Sequence, residues 1–201
     1  MAMFLFIAVI GYLIGSVNCA IVLVRFQFNK DVRSGGSGNA GATNAARTYG
    51  LGVGLLTLLG DVAKAVVAGL IGKHLAGQDG LIVADLFCLI GHCWPVFFRF
   101  KGGKGMAVAA GTLLLLNWKL LIGIAVFFVL VFLCWKRVSL STVLSVLIFP
   151  PLYYLTRGYL DLSFVLGTVI SLIVVFQHRQ NIQRLFAGTE PKFQLKSDGK
   201  E

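Results

Sequence analysis

The sequence predicts an all-α polytopic integral membrane protein, a single domain over residues 1–201 with seven transmembrane segments, the N-terminus outside and the C-terminus cytoplasmic. Three observations support this. Of the 201 residues, 57% are hydrophobic and 13% charged, and the mean hydropathy is +0.85, which excludes an ordinary soluble domain. Long apolar runs repeat along the chain. Lysine and arginine gather at alternate ends of those runs, which sets the orientation.

The first apolar run, residues 4–24, is long enough to span a bilayer and is followed by basic residues that hold its end in the cytoplasm. Gly11 and Gly15 form a G-x-x-x-G pattern, which predicts a face for close helix packing. Asn18, near the inner end, is interpreted as a hydrogen-bonding link between helices rather than as a site residue.

The bounds of the remaining apolar runs are set by hydropathy and by the polar residues and prolines that interrupt the runs. The stretch 106–135 is ambiguous, because a single long span would place the basic C-terminal tail outside. A turn at Asn117 divides it into two short segments and keeps the tail inside. Pro150 and Pro151 are expected to kink or end the sixth segment. The later predicted segments are 51–72, 81–98, 106–116, 118–135, 140–155 and 160–176.

Positive charge orients the segments. Of the 18 lysines and arginines, only Lys73, Lys119 and Arg157 fall in outside loops, with Lys64 in the membrane. The positive-inside rule therefore places three polar loops on the cytoplasmic side. They are residues 26–50, 99–105 and 177–190, and the polar tail 191–201 is expected to be frayed.

The first loop contains the stretch around which the chain is organised, residues 34–47, SGGSGNAGATNAAR. Its glycines can adopt positive φ and direct consecutive N–H groups at an anion, and its polar side chains suit a phosphate or carboxylate. A flexible linker would explain the glycines only. The G-x-G-x-x-G spacing lacks a βαβ unit, so a dinucleotide site is rejected. The candidate site residues are Gly36, Ser37, Gly38, Asn39, Thr43, Asn44 and Arg47.

The second loop carries Lys-Gly-Gly-Lys-Gly, residues 101–105. It is not a Walker A motif, because Gly105 occupies the place of the Mg²⁺-binding hydroxyl residue. It could still hold a phosphate between two lysines and the glycine N–H groups, whereas a purely topogenic role would not need the glycines. His92, just before the loop, could be structural or a ligand. The candidate residues are Lys101, Gly102, Gly103 and Lys104.

Charged and hydroxyl side chains also lie within the predicted segments. Asp61 and Lys64 share one helix face, where they can neutralise each other toward the bundle interior. They are either a buried structural pair or part of the polar site. Ser141 in the sixth segment joins the candidates for substrate binding, and Asp85 in the third segment receives no role.

The third loop begins with His178 and Asn181, which share a face if the last helix continues. Four basic residues of the three loops, with help from His178, offer roughly four or five positive charges, enough for two phosphates of about −1.5 to −2 each. They are Arg47, Lys101, Lys104 and Arg179. No metal is implied, because no Asp/His/Cys set has ligand spacing. Nucleic acid is excluded as a partner of the +10 chain, because no aqueous basic stripe exists to bind it.

These motifs make the chain similar to the bacterial PlsY glycerol-3-phosphate acyltransferases over nearly its whole length. The resemblance rests on residues 37–44 with Arg47, residues 91–105, and residues 178–182 with Gly188 and Glu190. It implies a seven-helix inner-membrane enzyme that transfers a fatty acyl group from acyl phosphate to the 1-hydroxyl of glycerol 3-phosphate, giving lysophosphatidic acid. It further implies a mainly structural Glu190 and a catalytic set of Ser37, Arg47, Lys104, His178 and Asn181.

The chemistry expected from the resemblance is direct attack, since an acyl phosphate is already activated and no acyl-enzyme is needed. Backbone N–H groups of residues 37–39 would receive the donor phosphate or oxyanion. The acceptor phosphate would be fixed by Arg47, Lys104, His178 and Asn181. The base is left open between His178 and the donor phosphate.

The alternative function is a transporter of a phosphorylated metabolite. That function predicts polar residues reaching both faces and an internal repeat. The polar motifs cluster at one face, and we find no repeat in the sequence. Neither a cofactor nor an obligatory protein partner is inferred, and membrane lipids are the expected surroundings.

Overall fold

The structure, a computed structural model, describes residues 1–193, and every regular element within that range is helical. A single 3₁₀ turn lies in the first polar loop, at Val32–Ser34, and another directly precedes the second polar loop, at Val96–Phe98. The α-helices are α1 (Ala2–Ser16), α2 (Cys19–Phe28), α3 (Ala42–Tyr49), α4 (Leu51–Cys93), α5 (Met106–Leu116), α6 (Trp118–Trp135), α7 (Val138–Leu147), α8 (Phe149–Arg157), α9 (Leu162–Gln177) and α10 (Arg179–Phe186).

Four helical stretches of the described chain are long and apolar enough to cross a membrane: Ala2–Phe28, Leu51–Phe98, Trp118–Trp135 and Val138–Arg157. A fifth results if α9 and α10, bent by 58°, are counted together. The helix α5 is apolar but shorter. The all-helical membrane architecture agrees with the sequence, and the count of seven spans stays a prediction.

Helix α4 is a hairpin of two antiparallel arms. Its backbone is non-helical at Ala76 and Gly77, where Gly77 has φ +62°. A Cβ added at either Gly72 or Gly80 would collide with the carbonyl oxygen of the other. Residues eight apart in a straight helix would be about 12 Å apart, so the chain must reverse between them. The arms match the predicted segments 51–72 and 81–98, with a two-residue turn where a longer loop was expected.

Helix α1 packs directly on the second arm of α4 through small residues. A Cβ at Gly11 would collide with the carbonyl of Ala84, and a Cβ at Gly15 with that of Cys88. The predicted close-packing face is therefore confirmed. Such contacts stabilise helices in lipid, where van der Waals packing rather than the hydrophobic effect drives association.

Two helix breaks lie at or next to the predicted positions, Asn117 and the proline pair, while a break at Asn18 interrupts the first predicted segment, which was expected to be continuous. Asn18 separates α1 from α2 inside the first predicted segment, and its Oδ1 accepts a hydrogen bond from Ile21 N at 3.0 Å. Its Nδ2 donates to Ala40 O at 3.1 Å, and this hydrogen bond links α2 to the first loop. Asn117 turns the chain between α5 and α6, accepting from Leu120 N at 3.1 Å. The break between α7 and α8 falls at Ile148, just before the two prolines.

Candidate active site

A cavity of about 810 Å³ runs into the bundle beside α5. Its lining extends from Lys104, just before α5, to Leu116 at the other end of that helix, a rise of about 16 Å. Near Lys104 the walls are polar and come from all three motif loops. Farther along α5 they are apolar side chains of α6, α8 and α9, including Ile124, Phe149 and Ile170.

A second cavity, of about 190 Å³, adjoins the polar end of the first. Its lining is polar side chains and glycines, with Gln177, Arg179 and Gln180 belonging to it alone. The two cavities share one wall, and the residues of that wall are Ser37, Asn39, Lys104, Asn181 and Arg184. A long apolar ligand and a small polar ligand could therefore meet at this wall.

Hydrogen bonds connect the shared wall to Glu190. Lys104 Nζ donates to Asn181 Oδ1, and Asn181 Nδ2 donates to Glu190 Oε1 at 2.7 Å. Ser139 Oγ donates to the same oxygen at 2.6 Å, while Arg184 Nε donates to Oε2 at 2.8 Å. Glu190 thus anchors the amide that orients the Lys104 ammonium, and the mainly structural role predicted for it stays a prediction.

Lys104 is a cation placed in a partly dehydrated, positive environment. Burial lowers the pKa of Lys104 to about 8; Glu190 opposes this shift, and nearby Arg184 and Arg47 reinforce it. Arg47, on α3, forms no ion pair with any residue of the described chain. An anionic ligand in the cavity would relieve the repulsion between these cations.

His178 lies at the bend between α9 and α10 and lines the large cavity. Its Nδ1 is 2.8 Å from Val174 O. A carbonyl oxygen only accepts, so Nδ1 carries a hydrogen, and in the neutral ring Nε2 has the free lone pair. The imidazole can therefore accept a proton through Nε2.

The first loop is built around Asn44. Its side-chain Nδ2 donates to Val32 O (2.9 Å) and Gly35 O (3.1 Å), and its Oδ1 accepts from Ser37 N (2.8 Å). A Cβ at Gly36, where φ is +59°, would collide with that Oδ1, so glycine is required there. Asn44 thus shapes the loop, and the substrate contact predicted for it stays a prediction.

The backbone of residues 37–39 does not form the expected row of free donors. Ser37 N donates to Asn44 Oδ1, and Gly38 N donates to Gly35 O at 3.1 Å. Asn39 is the member of the trio whose N–H has no partner among residues 1–193. The hydroxyl and amide side chains of the loop, with Thr43 in the large cavity, are therefore better placed to meet a ligand than its N–H groups.

The second loop differs from the prediction in a similar way. Gly102 N and Gly103 N donate to Cys93 O and His92 O, both at 3.1 Å. These N–H groups cap the end of α4 and cannot also cradle a phosphate. Their lack of a side chain allows the close approach, since a Cβ at either position would collide with His92.

Two further predictions are corrected. The Lys101 side chain is exposed and lines neither cavity, while its carbonyl accepts from Arg33 Nη1 at 2.9 Å. Ser141 is buried with its Oγ donating to Arg137 O at 3.1 Å, and it lines neither cavity. Ser139, two residues earlier, faces the large cavity in its place.

Sequence reasoning missed Arg184, which lies in both cavities, and Arg33, which ties the first two loops together. Arg33 donates to Phe98 O at 3.0 Å and pairs with Asp31 at 2.7 Å. Arg184 follows Asn181 by three residues on α10, so helical spacing could have identified it. Nothing in the sequence shows which distant carbonyls Arg33 reaches.

Buried charges behind the polar end form the expected pair. Lys64 Nζ is 3.0 Å from Asp61 Oδ1 and 2.9 Å from Nδ1 of His92. Asp61 and His92 line the large cavity, so the pair supports the site as well as the fold. Asp85 is buried beside Gly69, outside both cavities. Within residues 1–193, no group of three or more His, Cys, Asp and Glu side chains could hold a metal.

Comparison with known proteins gives consistent results. The family model described as "Glycerol-3-phosphate acyltransferase" matches residues 5–188. A protein of that name from Syntrophotalea carbinolica is 41% identical over 198 residues, 96% of this chain and 99% of the relative. Another from Thermoanaerobacter sp. is 39% identical over 192 residues, 95% of this chain and 96% of the relative.

Two solved structures are similar throughout. Both are crystal structures of PlsY (YgiH), an integral membrane glycerol 3-phosphate acyltransferase. The glycerol 3-phosphate form superimposes with a TM-score of 0.88 at 32% identity, covering 95% of this chain and 96% of that one. The lysophosphatidic acid form gives 0.86 at 31% identity, covering 95% of each. The chain therefore belongs to the glycerol-3-phosphate acyltransferase family.

Proposed function

We propose that this protein transfers a fatty acyl group from acyl phosphate to the 1-hydroxyl of glycerol 3-phosphate, forming lysophosphatidic acid in phospholipid biosynthesis. One observation carries the proposal: a long, largely apolar cavity and a small polar cavity share a wall that contains Lys104 and Asn181. Acyl transfer needs a fatty donor and a polar acceptor held by neighbouring groups, and two cavities that share five lining residues would bring both ligands to the same side chains. The similar structures in glycerol 3-phosphate and lysophosphatidic acid forms support both ligand classes.

The donor belongs in the large cavity. Its chain would lie along α5 against the apolar walls, with its phosphate at the polar end beside Arg47 and Lys104. Arg47 and His178 line only this cavity, so we assign both to the donor end, in place of the acceptor role expected from the sequence. Apolar walls with a few convergent polar groups are typical of a site for such a ligand.

The acceptor belongs in the small cavity. Arg179 lies there, stacked over the Phe176 ring at 4.6 Å, and Arg184 and Lys104 complete the cationic lining. A guanidinium fork matches phosphate oxygens, and the amide groups of Gln177 and Gln180 suit the glycerol hydroxyls. The 1-hydroxyl would then face the shared wall.

The reaction follows without a covalent enzyme intermediate. The acceptor oxygen forms a bond to the acyl carbon, the bond from that carbon to the phosphate oxygen breaks, and inorganic phosphate leaves. The hydroxyl proton passes to Nε2 of His178 or to the departing phosphate. Near-normal kcat in His178→Gln, with only a raised KM, would exclude the histidine as the base.

We also propose seven spans with the site facing the cytoplasm of a bacterial inner membrane. Counting α1 with α2, each arm of α4, α5, α6, α7 with α8, and α9 gives seven passes. The distribution of lysine and arginine supports an outside N-terminus. Reporter tags that placed Lys104 and His178 on opposite sides of the bilayer would contradict the arrangement.

The decisive assay uses purified protein with acyl phosphate and glycerol 3-phosphate in EDTA. We expect equal amounts of lysophosphatidic acid and inorganic phosphate. Lys104→Met should be nearly inactive, while the matched control Lys101→Met, outside both cavities, should retain activity. Product formed from acyl-CoA but not from acyl phosphate would refute the proposed donor. Uptake of glycerol 3-phosphate into vesicles without product would favour a transporter.

A further inference from the structure

Three charged or titratable side chains form a buried cluster that the mechanism above does not use. Asp61, Lys64 and His92 are 1%, 8% and 2% exposed. They lie on the two arms of the α4 hairpin and meet next to the C-terminal end of α1. Burial of a charge costs free energy unless a partner compensates for it. The hydrogen-bond partners of each of the three groups therefore show how its charge or its hydrogens are used.

The three hydrogens of the Lys64 ammonium are fully used. Nζ donates to Gly15 O at 3.0 Å and to Val17 O at 2.8 Å, and lies 2.9 Å from His92 Nδ1. An ammonium has three donors and no acceptor. Asp61 Oδ1, at 3.0 Å, therefore balances its charge without receiving one of these hydrogen bonds.

This arrangement fixes the tautomer of His92. Because Lys64 can only donate, Nδ1 of the ring must accept, and the hydrogen of the neutral imidazole resides on Nε2. The opposite tautomer would need Nδ1 to donate to Asp61 Oδ1, which is farther away at 3.5 Å, and would set an N–H against the ammonium. His92 is thus held as an uncharged Nε2–H donor.

His92 lies at the polar end of the large cavity, beside the second loop. His92 lines that cavity and not the small one, and its carbonyl accepts from Gly103 N, next to Lys104. A Cβ at Gly103 would collide with Nε2, so the ring edge lies against the second loop. Among residues 1–193, Nε2 has no hydrogen-bond partner.

We infer that His92 is a further catalytic residue whose Nε2–H donates to the acyl carbonyl oxygen, with Lys64 and Asp61 as its positioning residues. The inference rests on the proposed function, because it needs an acyl donor in the large cavity. As the acceptor oxygen bonds to the acyl carbon, the carbonyl electron pair moves onto its oxygen, and the N–H stabilises that charge until phosphate is expelled.

The two buried histidines then have opposite roles. His178 donates through Nδ1 to a carbonyl and keeps a lone pair on Nε2, whereas His92 accepts at Nδ1 and keeps a hydrogen on Nε2. An uncharged donor suits the carbonyl, whose oxygen gains charge only during attack, while Arg47 and Lys104 suit the phosphate, which is already charged.

The test compares three substitutions at His92 by steady-state kinetics. His92→Gln can accept from Lys64 through Oε1 and still donate through Nε2, so its kcat should stay within about tenfold of the parent. His92→Met can do neither, so its kcat should fall by about 10²-fold or more, the usual effect of losing one oxyanion donor. His92→Asn, too short to reach the cavity, should resemble Met and serves if the Met variant fails to fold.

Binding of glycerol 3-phosphate to protein alone separates catalysis from structure. Its Kd should be unchanged in all three variants, because His92 does not line the small cavity. Three outcomes would each overturn the inference. The first is an unchanged kcat in the Met or Asn variant, and the second is a Gln variant as inactive as the folded Asn variant. The third is a loss of glycerol 3-phosphate binding that parallels the loss of kcat. A parent protein that makes no lysophosphatidic acid from acyl phosphate would instead refute the proposed function.

Discussion

Removal of the Glu190 carboxylate is expected to loosen the shared wall of the two cavities. In Glu190→Ala, Ser139 and Asn181 lose the oxygen that accepts from both, at 2.6 and 2.7 Å, and Arg184 loses its partner at 2.8 Å. Arg184 is 40% exposed and can turn to water, whereas the first two are buried. Only their two charge-assisted bonds are therefore counted, at about 1.5–3 kcal/mol each.

The expected destabilisation is about 3–6 kcal/mol, close to the effect of breaking a buried ion pair by removing one partner. For a chain of this length it corresponds to a fall in Tm of roughly 10 °C. Glu190→Gln keeps one acceptor oxygen but faces its amide toward Arg184, so a smaller fall is expected. Activity should decline in both variants, because Asn181 orients Lys104.

The assay is thermal unfolding in detergent, followed by maleimide labelling of the buried thiols Cys88 and Cys93. Asp79→Asn, which alters an exposed carboxylate, is the matched control and should leave Tm unchanged. A Tm for Glu190→Ala within about 2 °C of the parent would refute the reasoning that Glu190 anchors the wall.

The same network predicts how stability depends on pH. Burial opposes ionisation of Glu190, but hydrogen bonds from Ser139, Asn181 and Arg184 outweigh it and hold the pKa of this carboxyl below its usual range. A lowered folded-state pKa stabilises the fold above the ordinary carboxyl pKa, and that contribution is lost as pH falls through the folded-state pKa. Glu190→Gln should therefore lose less stability than the parent upon acidification.

Three further predictions follow from the site and its packing. Because the pKa of Lys104 is about 8, the KM values of both substrates should rise roughly tenfold between pH 7 and 9. Lys104→Arg stays charged over this range, so its KM values should change much less with pH. Equal pH profiles of KM in the parent and in Lys104→Arg would contradict the role of the ammonium. Gly102→Ala should lower both Tm and activity, because its Cβ would collide with a carbonyl at the end of α4, whereas Gly52→Ala, with open space around its Cβ, should do neither. Gly167→Leu should fill the far end of the large cavity against Phe149. It should raise the KM for a long-chain acyl phosphate about tenfold more than the KM for a short-chain one, as expected for about two displaced methylenes. The control is Gly123→Leu at an exposed position, and an unchanged ratio of the two KM values in Gly167→Leu would place the acyl chain elsewhere.

The sequence located the motifs that line the cavities, but it did not predict which of their atoms are available to bind a ligand. The glycines of the second loop were expected to offer N–H groups, yet Gly102 and Gly103 donate theirs to α4. Lys101 and Lys104 look alike in the sequence, but only Lys104 faces the cavities. Backbone groups must be satisfied somewhere, and one-dimensional spacing does not show which partner they find.

The sequence by itself determined the membrane class, the positions of most helix breaks, the three polar loops and the family resemblance. These depend on hydropathy, proline and glycine placement, and local capping, all of which act over a few residues. Tertiary structure decided that Ser139 rather than Ser141 reaches the cavity, that Glu190 supports Asn181, and that Lys64 fixes the tautomer of His92. Those outcomes depend on the depth and rotation of packed helices, because a hydrogen bond forms or fails within about an ångström.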